Sequence, residues 1–381
     1  MRSASFVLLM FGPTLSLFSQ HTDSILDRSI SVTAGYISDN VKNISGGIEQ
    51  EYGYLGMATF DLYFISDKSG LWKNGVFYVK AVNTHGSVPS SEFIGDVQIV
   101  SNIEAGNHTY IQEMWYRHSS GRIEFTVGLQ DLNSDFANTE NGALFLNSSF
   151  GVSPVISGNI SAPIFPLTTI GLTANWNLTG ESSLLMALYD GRPSGFDTNP
   201  YNLRWNYHRG DGMLAISEFQ HITGIKDNPG LYKLGIFAHN HILEKNFSEN
   251  YQDSAYNNVV GLYIHGDQQI WTNNSKHVGF FFQGGISPSE TVMHNSYLGL
   301  GIKASGFLSR SYNDEIGLAI ARAGITSGQG CETTIELTWK NKIHEKISVQ
   351  PDLQYIIHPS GRLSNLKNSL TGIIRIEISI K

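Results

Sequence analysis

Residues Gly121 to Gly151 read GRIEFTVGLQDLNSDFANTENGALFLNSSFG, and the reading of this stretch decides the fold. Ile123, Phe125, Val127 and Leu129 alternate with Arg122, Glu124, Thr126 and Gln130, so an extended chain here sends apolar side chains to one face and polar ones to the other. The spacing predicts a strand between two different solvents. At Asp131 the period breaks, and a loop rich in Asp, Asn, Ser and Phe begins.

Working outward, the same alternation recurs in segments of about ten residues separated by Gly, Asn, Asp, Ser and Pro clusters, the pattern of a membrane barrel. Ile170, Leu172, Ala174 and Trp176 form one apolar face, and Ile374, Ile376, Ile378 and Ile380 another. Between them, Ile347, Val349, Leu353, Tyr355 and Ile357 face away from Ser348, Gln350, Asp352 and Gln354. Around Trp115 and Tyr116 the face is ambiguous. Counting these segments predicts about sixteen strands. A soluble sandwich alternates too, because one face of each sheet is wet. The apolar faces here, however, carry Phe, Trp, Tyr and Ile with almost no charge, and in lipid only a closed sheet pairs every backbone group. The fold class expected is all-β, a transmembrane antiparallel β-barrel with a porin-like architecture. Its charged side chains, including Arg122 with Glu124, Glu336 with Lys340, and Arg375 with Glu377, are expected to face a wet lumen. Trp176, Tyr263, Trp271 and Trp339 are either interfacial girdle rings, sheet packing or sugar-stacking platforms.

Composition agrees. The chain has 381 residues, 41% hydrophobic, with 39 glycines but only 15% charged residues, a profile for β structure with many tight turns. A net charge of -8 without a Lys/Arg run argues against nucleic acid. A lone cysteine, Cys331, forms no internal disulfide. Residues 1–20 carry Arg2, a short apolar core broken by Pro13 and a processing site near Ser19-Gln20, and read as a signal peptide. Residues 21–381 are then one barrel domain, with too few residues before Ile30 for a folded plug.

A barrel of this strand number leaves an aqueous channel, whose selectivity comes from polar groups at a constriction. Sugars are polyols with apolar C–H faces, so carboxylates and amides beside an aromatic ring suit them. Asp131, Asn133, Asp135, Phe136, Glu140 and Asn147 supply that chemistry. Equally, Asp131 and Asn133 could cap turns through their own backbone.

The segments GLQDLNSDF and FLNSSFG, the block Ser69–Ala105 with its Asn-Thr-His-Gly and Ser-Asn-Ile-Glu-Ala runs, and VQPDLQYIIHPSG (Val349–Gly361) resemble the carbohydrate-selective porins of Gram-negative outer membranes. The likeness runs from about Asn43 to the C-terminus. It implies passive diffusion of small carbohydrates through an outer-membrane barrel, with membrane lipid and the assembly machinery as partners and a homo-oligomer as an option. It also implies that the pore narrows within the stretch after Gly128. Asn83, His85, Asn102 and Glu104 match the family pattern in the earlier block.

No enzymatic constellation is present. Asp131, Asp135 and Glu140 could pair as glycosidase carboxylates, but sequence proximity does not set their separation. Gly299 to Ala304 loosely matches a dinucleotide fingerprint inside an alternating strand, which is the wrong context. The 13 histidines show no metal-ligand spacing. No cofactor and no metal are expected, and the competing reading is a secreted or surface β protein that binds glycans without transporting them.

Overall fold

A computed structural model describes residues 28–205, 210–225, 228–242, 256–289, 291–309, 314–326 and 328–380; the expected signal peptide lies outside them. Sixteen strands run in order: β1 (Ile30–Gly47), β2 (Tyr52–Ile65), β3 (Gly75–Gly86), β4 (His108–Ser120), β5 (Ile123–Gln130), β6 (Thr169–Asn177), β7 (Ser182–Asp190), β8 (Met213–Ile225), β9 (Asn228–Ile242), β10 (Tyr256–Asn273), β11 (Lys276–Ile286), β12 (His294–Ser305), β13 (Asp314–Ile325), β14 (Cys331–His344), β15 (Ile347–Ile357) and β16 (Lys367–Ile380). Each pairs antiparallel with its chain neighbours, and β1 closes on β16, giving a closed barrel. One rim has short connections such as 121–122, 178–181 and 345–346; the other carries 87–107, 131–168 and 191–212.

The strands that alternate regularly show the faces the alternation predicts. Phe125, Val127, Leu172, Leu188, Leu353 and Ile374 are 42% to 51% exposed and point outward, where the bilayer lies. Trp115 and Tyr116 separate cleanly: Trp115 stacks inside on Tyr78, while Tyr116 sits outside against Trp72. Tyr263 corrects the girdle reading, because it points inward, is buried, and donates its hydroxyl to Glu218 at 2.7 Å.

Half of the inner wall is not wet. On β7–β13 many inward positions are apolar or small, among them Leu214, Ile216, Phe237, Ala319 and Ala321, and they join Phe136, Leu144, Phe145, Phe150, Val155 and Ile156 of loop 131–168 in one hydrophobic core, with buried polar groups such as Glu218, Lys233 and Asp267 set between them. Each such ring or aliphatic side chain contributes about 1.5–3 kcal/mol by leaving water, so the loop is folded into the lumen as a body with its own core. Inward glycines in these strands mark the close approaches. A Cβ on Gly317 would lie 2.6 Å from the Phe145 ring, and one on Gly301 2.2 Å from the Phe281 ring. Gly317→Val is therefore expected to strain the seat by about 1–3 kcal/mol and to raise single-channel conductance while the barrel still shows heat-modifiable gel migration. Unaltered conductance would mean that the loop is not seated there.

Candidate functional site: the inward loops and the uncovered wall

β5 breaks away from the wall at its end because of local chemistry. Gly128 has φ +133°, and a Cβ there would lie 2.3 Å from the Met114 carbonyl oxygen, a conformation and a clearance that only glycine accepts. Asp131 then caps a turn, Leu132–Ser134, by accepting the Asn133 amide at 2.9 Å. The same carboxylate accepts Phe165 N at 3.1 Å and Gln112 Nε2 at 3.0 Å, so it ties the beginning of the loop to its end. Gln112 reaches it from a β-bulge in β4, the usual device for re-aiming a side chain. Further on, Asn147 caps the turn Ser148–Phe150 and donates to Gln354 at 3.1 Å.

Wall carboxylates hold the loop across the lumen. Asp267 on β10 accepts the amides of Glu140 and Asn141 at 2.9 and 2.8 Å. Glu336 on β14 accepts Leu146 N and Asn147 N at 2.6 and 3.0 Å. Glu218 on β8 accepts Ala137 N at 2.8 Å. Loop 87–107 is held the same way, with Val97 N and Gln98 N on Glu332 of β14. Its residues Phe93, Ile94, Val100 and Ile103 pack on Ile37, Val41, Ile356 and Ile373. The two loops meet where Asn102 N donates to Leu146 O at 2.8 Å and Ser148 N to Ile99 O at 2.9 Å. Glu336 and Arg375, expected to face water, are instead 0% and 4% exposed. The loops cover them, and both serve the loops: Glu336 accepts the two loop amides, while Arg375 pairs with Asp39 and also donates to Asn102 at 2.8 Å.

The part of the wall that the loop's apolar core does not cover is a polar strip on β2–β5. Tyr63, Tyr78 and Trp115 form a small buried cluster there, their rings tilted against one another with centroids 4.5 and 4.9 Å apart, and the Arg117 guanidinium lies 4.7 Å over the Trp115 ring. Arg117 reaches Glu124 at 3.5 Å and, across to the loop, Asp135 at 3.6 Å, all three partly exposed. Burial pushes the Asp135 carboxyl up, and Arg117 opposes that shift. Glu140 keeps its side chain exposed. Glu104 accepts Ser90 N at 3.2 Å; burial, then the nearby Asp96 carboxylate, pushes it up to about 8. A carboxyl that is mostly protonated at neutral pH offers an O–H donor as well as acceptors.

The predicted site residues thus divide. Asp135 and Glu124 come together through Arg117 at the strip, while Glu140 lies on the same loop as Asp135, beside Asp267 of β10, and Glu104 lies in loop 87–107 beside Ser90. Asp131, Asn133, Phe136 and Asn147 build the loop: Phe136 is fully buried in its core, and Asn133 donates to Phe136 O and Gly151 O. Three others lie away from the passage. Arg122 sits in the turn at the short-connection rim, donating to Leu178 O. Asn83 and His85 lie on the outward face of β3, where His85 bonds Tyr36 Oη at 3.0 Å and Asn83 donates to Thr109 Oγ1 at 2.6 Å. Sequence reasoning missed Arg117, Trp115, Glu218 and Asp267; each sits at an inward position of an alternating strand, which is the signal that could have found them. Among the described residues no group of three His, Cys, Asp or Glu side chains could hold a metal ion.

The family described as carbohydrate-selective porin, OprB family, matches residues 49–379. The chain is 21% identical to Porin B of Pseudomonas aeruginosa over 93% of its own length and 88% of that relative. In fold it is similar to Pseudomonas putida OprB at high pH, with a TM-score of 0.83, 18% identity, and 95% of this chain and 97% of that one covered. Salmonella typhi OmpF in complex with daunomycin gives a TM-score of 0.59 at 8% identity, covering 93% and 98%.

Proposed function

Since this chain belongs to the carbohydrate-selective porin family, an outer-membrane family of β-barrel channels, we propose that sugars cross it by diffusion between the polar side of its inward loops and the uncovered strip of β2–β5. The observation that carries this reading is the Asp135–Arg117–Glu124 ladder beside the Trp115 ring. Carboxylate and guanidinium groups in sequence offer acceptors and donors to successive hydroxyls, and the buried Trp115 ring under Arg117 holds the guanidinium in place between them. Asp135, Glu140, Glu104, Glu124 and Arg117 are the groups that touch the sugar, while Asp131, Asn133, Phe136 and Asn147 hold the loop that presents them. Residues 1–20 direct export, and the assembly machinery inserts the barrel into outer-membrane lipid. The barrel closes on its own strands, so a single copy suffices for passage, and any homo-oligomer would be an association of complete channels.

The test is liposome swelling with purified protein. Neutral monosaccharides are expected to enter faster than amino acids of similar size, and Arg117→Ala with Asp135→Asn is expected to erase most of that preference while swelling continues. Equal entry into wild-type liposomes would leave a general porin. No swelling with a correctly folded barrel would favour the glycan-binding protein instead.

A further inference from the structure

The inward turn of loop 131–168 opens a breach in the wall. β4 pairs with β5 only from Met114 onward, and β5 ends at Gln130 opposite Thr169 of β6. Residues 108–113 of β4 therefore have no strand partner on that side. An unpaired strand edge at membrane depth is excluded on energetic grounds, because lipid offers its N–H and C=O groups nothing.

Another part of the chain occupies that place. Ile111 N donates to Tyr201 O at 3.1 Å, in the ladder position that β5 has vacated. Asn202, 3% exposed and with φ +51°, donates from Nδ2 to Ile111 O at 3.2 Å and to Thr168 Oγ1 at 2.9 Å. Thr168 in turn donates to Gln112 O, and Gln112 donates to Asp131, the carboxylate that closes the neck of the constriction loop. Asn199 braces the segment by accepting Leu203 N and Arg204 N, both at 3.1 Å. Phe196 stacks on His108 at 3.9 Å. Tyr201, Leu203 and Trp205 are 62%, 55% and 42% exposed, so the segment presents the Tyr201 carbonyl and the Asn202 side chain to the wall and leaves its large apolar side chains exposed.

We infer that Asn199–Trp205 is a replacement wall segment that seals the breach left by β5, and that Asn202 is a positioning residue for the constriction loop, acting through Thr168, Gln112 and Asp131. The segment thereby couples an outer loop to the selectivity of the passage. This rests on the sugar-channel reading only for its functional consequence; the seal itself is a property of the barrel.

Asn202→Gly tests it, since glycine keeps the left-handed backbone and removes only the side-chain bonds. The variant is expected to retain heat-modifiable migration, while hydrogen exchange at the neck amides Leu132 and Phe165 accelerates by about fivefold, the factor of one lost hydrogen bond. Its sugar-to-amino-acid swelling ratio is expected to fall below that of the wild type. Neck exchange at the wild-type rate overturns the inference, whatever solute the channel prefers. The wild-type swelling ratio alone judges the sugar reading. Should the variant fail to assemble, exchange in the unaltered protein decides. An Ile111 amide as protected as the amides in the middle of β4 supports the seal, and one exchanging like a loop amide refutes it.

Discussion

Replacing Glu336 by glutamine and Asp267 by asparagine together is expected to release the constriction loop from the wall, raising ion conductance and admitting disaccharides nearly as fast as monosaccharides. Each carboxylate takes two consecutive loop amides and each is buried. An amide side chain keeps the shape but turns one acceptor into a donor, so one buried N–H at each site faces another N–H. Leaving such a group unsatisfied costs about 1–3 kcal/mol; at about 2 kcal/mol, the ratio of seated to released loop falls by a factor of about 30. The two sites hold neighbouring parts of one loop and so will not act independently; the second substitution is expected to do more once the first has loosened the loop. Planar-bilayer conductance with a size series of sugars reads the result. An unchanged size limit in the double variant would mean that the apolar core alone keeps the loop in place.

Arg375→Ala is expected to weaken the barrel itself. Asp39 and Arg375 face each other across the β1–β16 closure, joined by two bonds of 2.7 Å, with side-chain exposures of 0% and 5%. Removing the cation leaves a carboxylate in a covered site, a change that costs about 3–5 kcal/mol in buried pairs. It also frees Asn102 and so slackens loop 87–107. The temperature at which the compact gel band converts to the unfolded one should drop clearly. Arg375→Lys should fall between, since an ammonium cannot reproduce the forked contact. The double change Asp39→Leu with Arg375→Leu should recover much of the loss, because an apolar pair of similar bulk needs no counter-charge. If Arg375→Ala melts like the wild type, the pair contributes nothing to closure.

Strand periodicity exposed the barrel because lipid and lumen act on successive residues. Phe125 and Val127 had to point outward once Glu124 and Thr126 pointed in. The same logic identified the loop after Gly128, since a polar, Phe-containing run cannot continue a lipid-facing strand. The roles within that loop were less legible. Asp131 and Asp135 have the same chemistry four positions apart, yet one clamps the neck and the other reaches Arg117. Asn83 and His85 carry polar groups suited to a lumen, but their parity with Phe77 sets them on the outside of β3, where they bond to Thr109 and Tyr36.

By itself, then, the sequence determined the sheet, the approximate number of strands, the two faces of the regularly alternating strands and the loop that departs from the wall, because period-2 exposure and turn chemistry are local. Only the tertiary structure decided that Phe136 is core, that Glu336 and Asp267 hold amides rather than face water, and that Asn202 mends the gap behind β5. Those roles arise from contacts between residues as many as 190 positions apart, and in a closed barrel the register around the whole ring determines which distant side chains meet inside it.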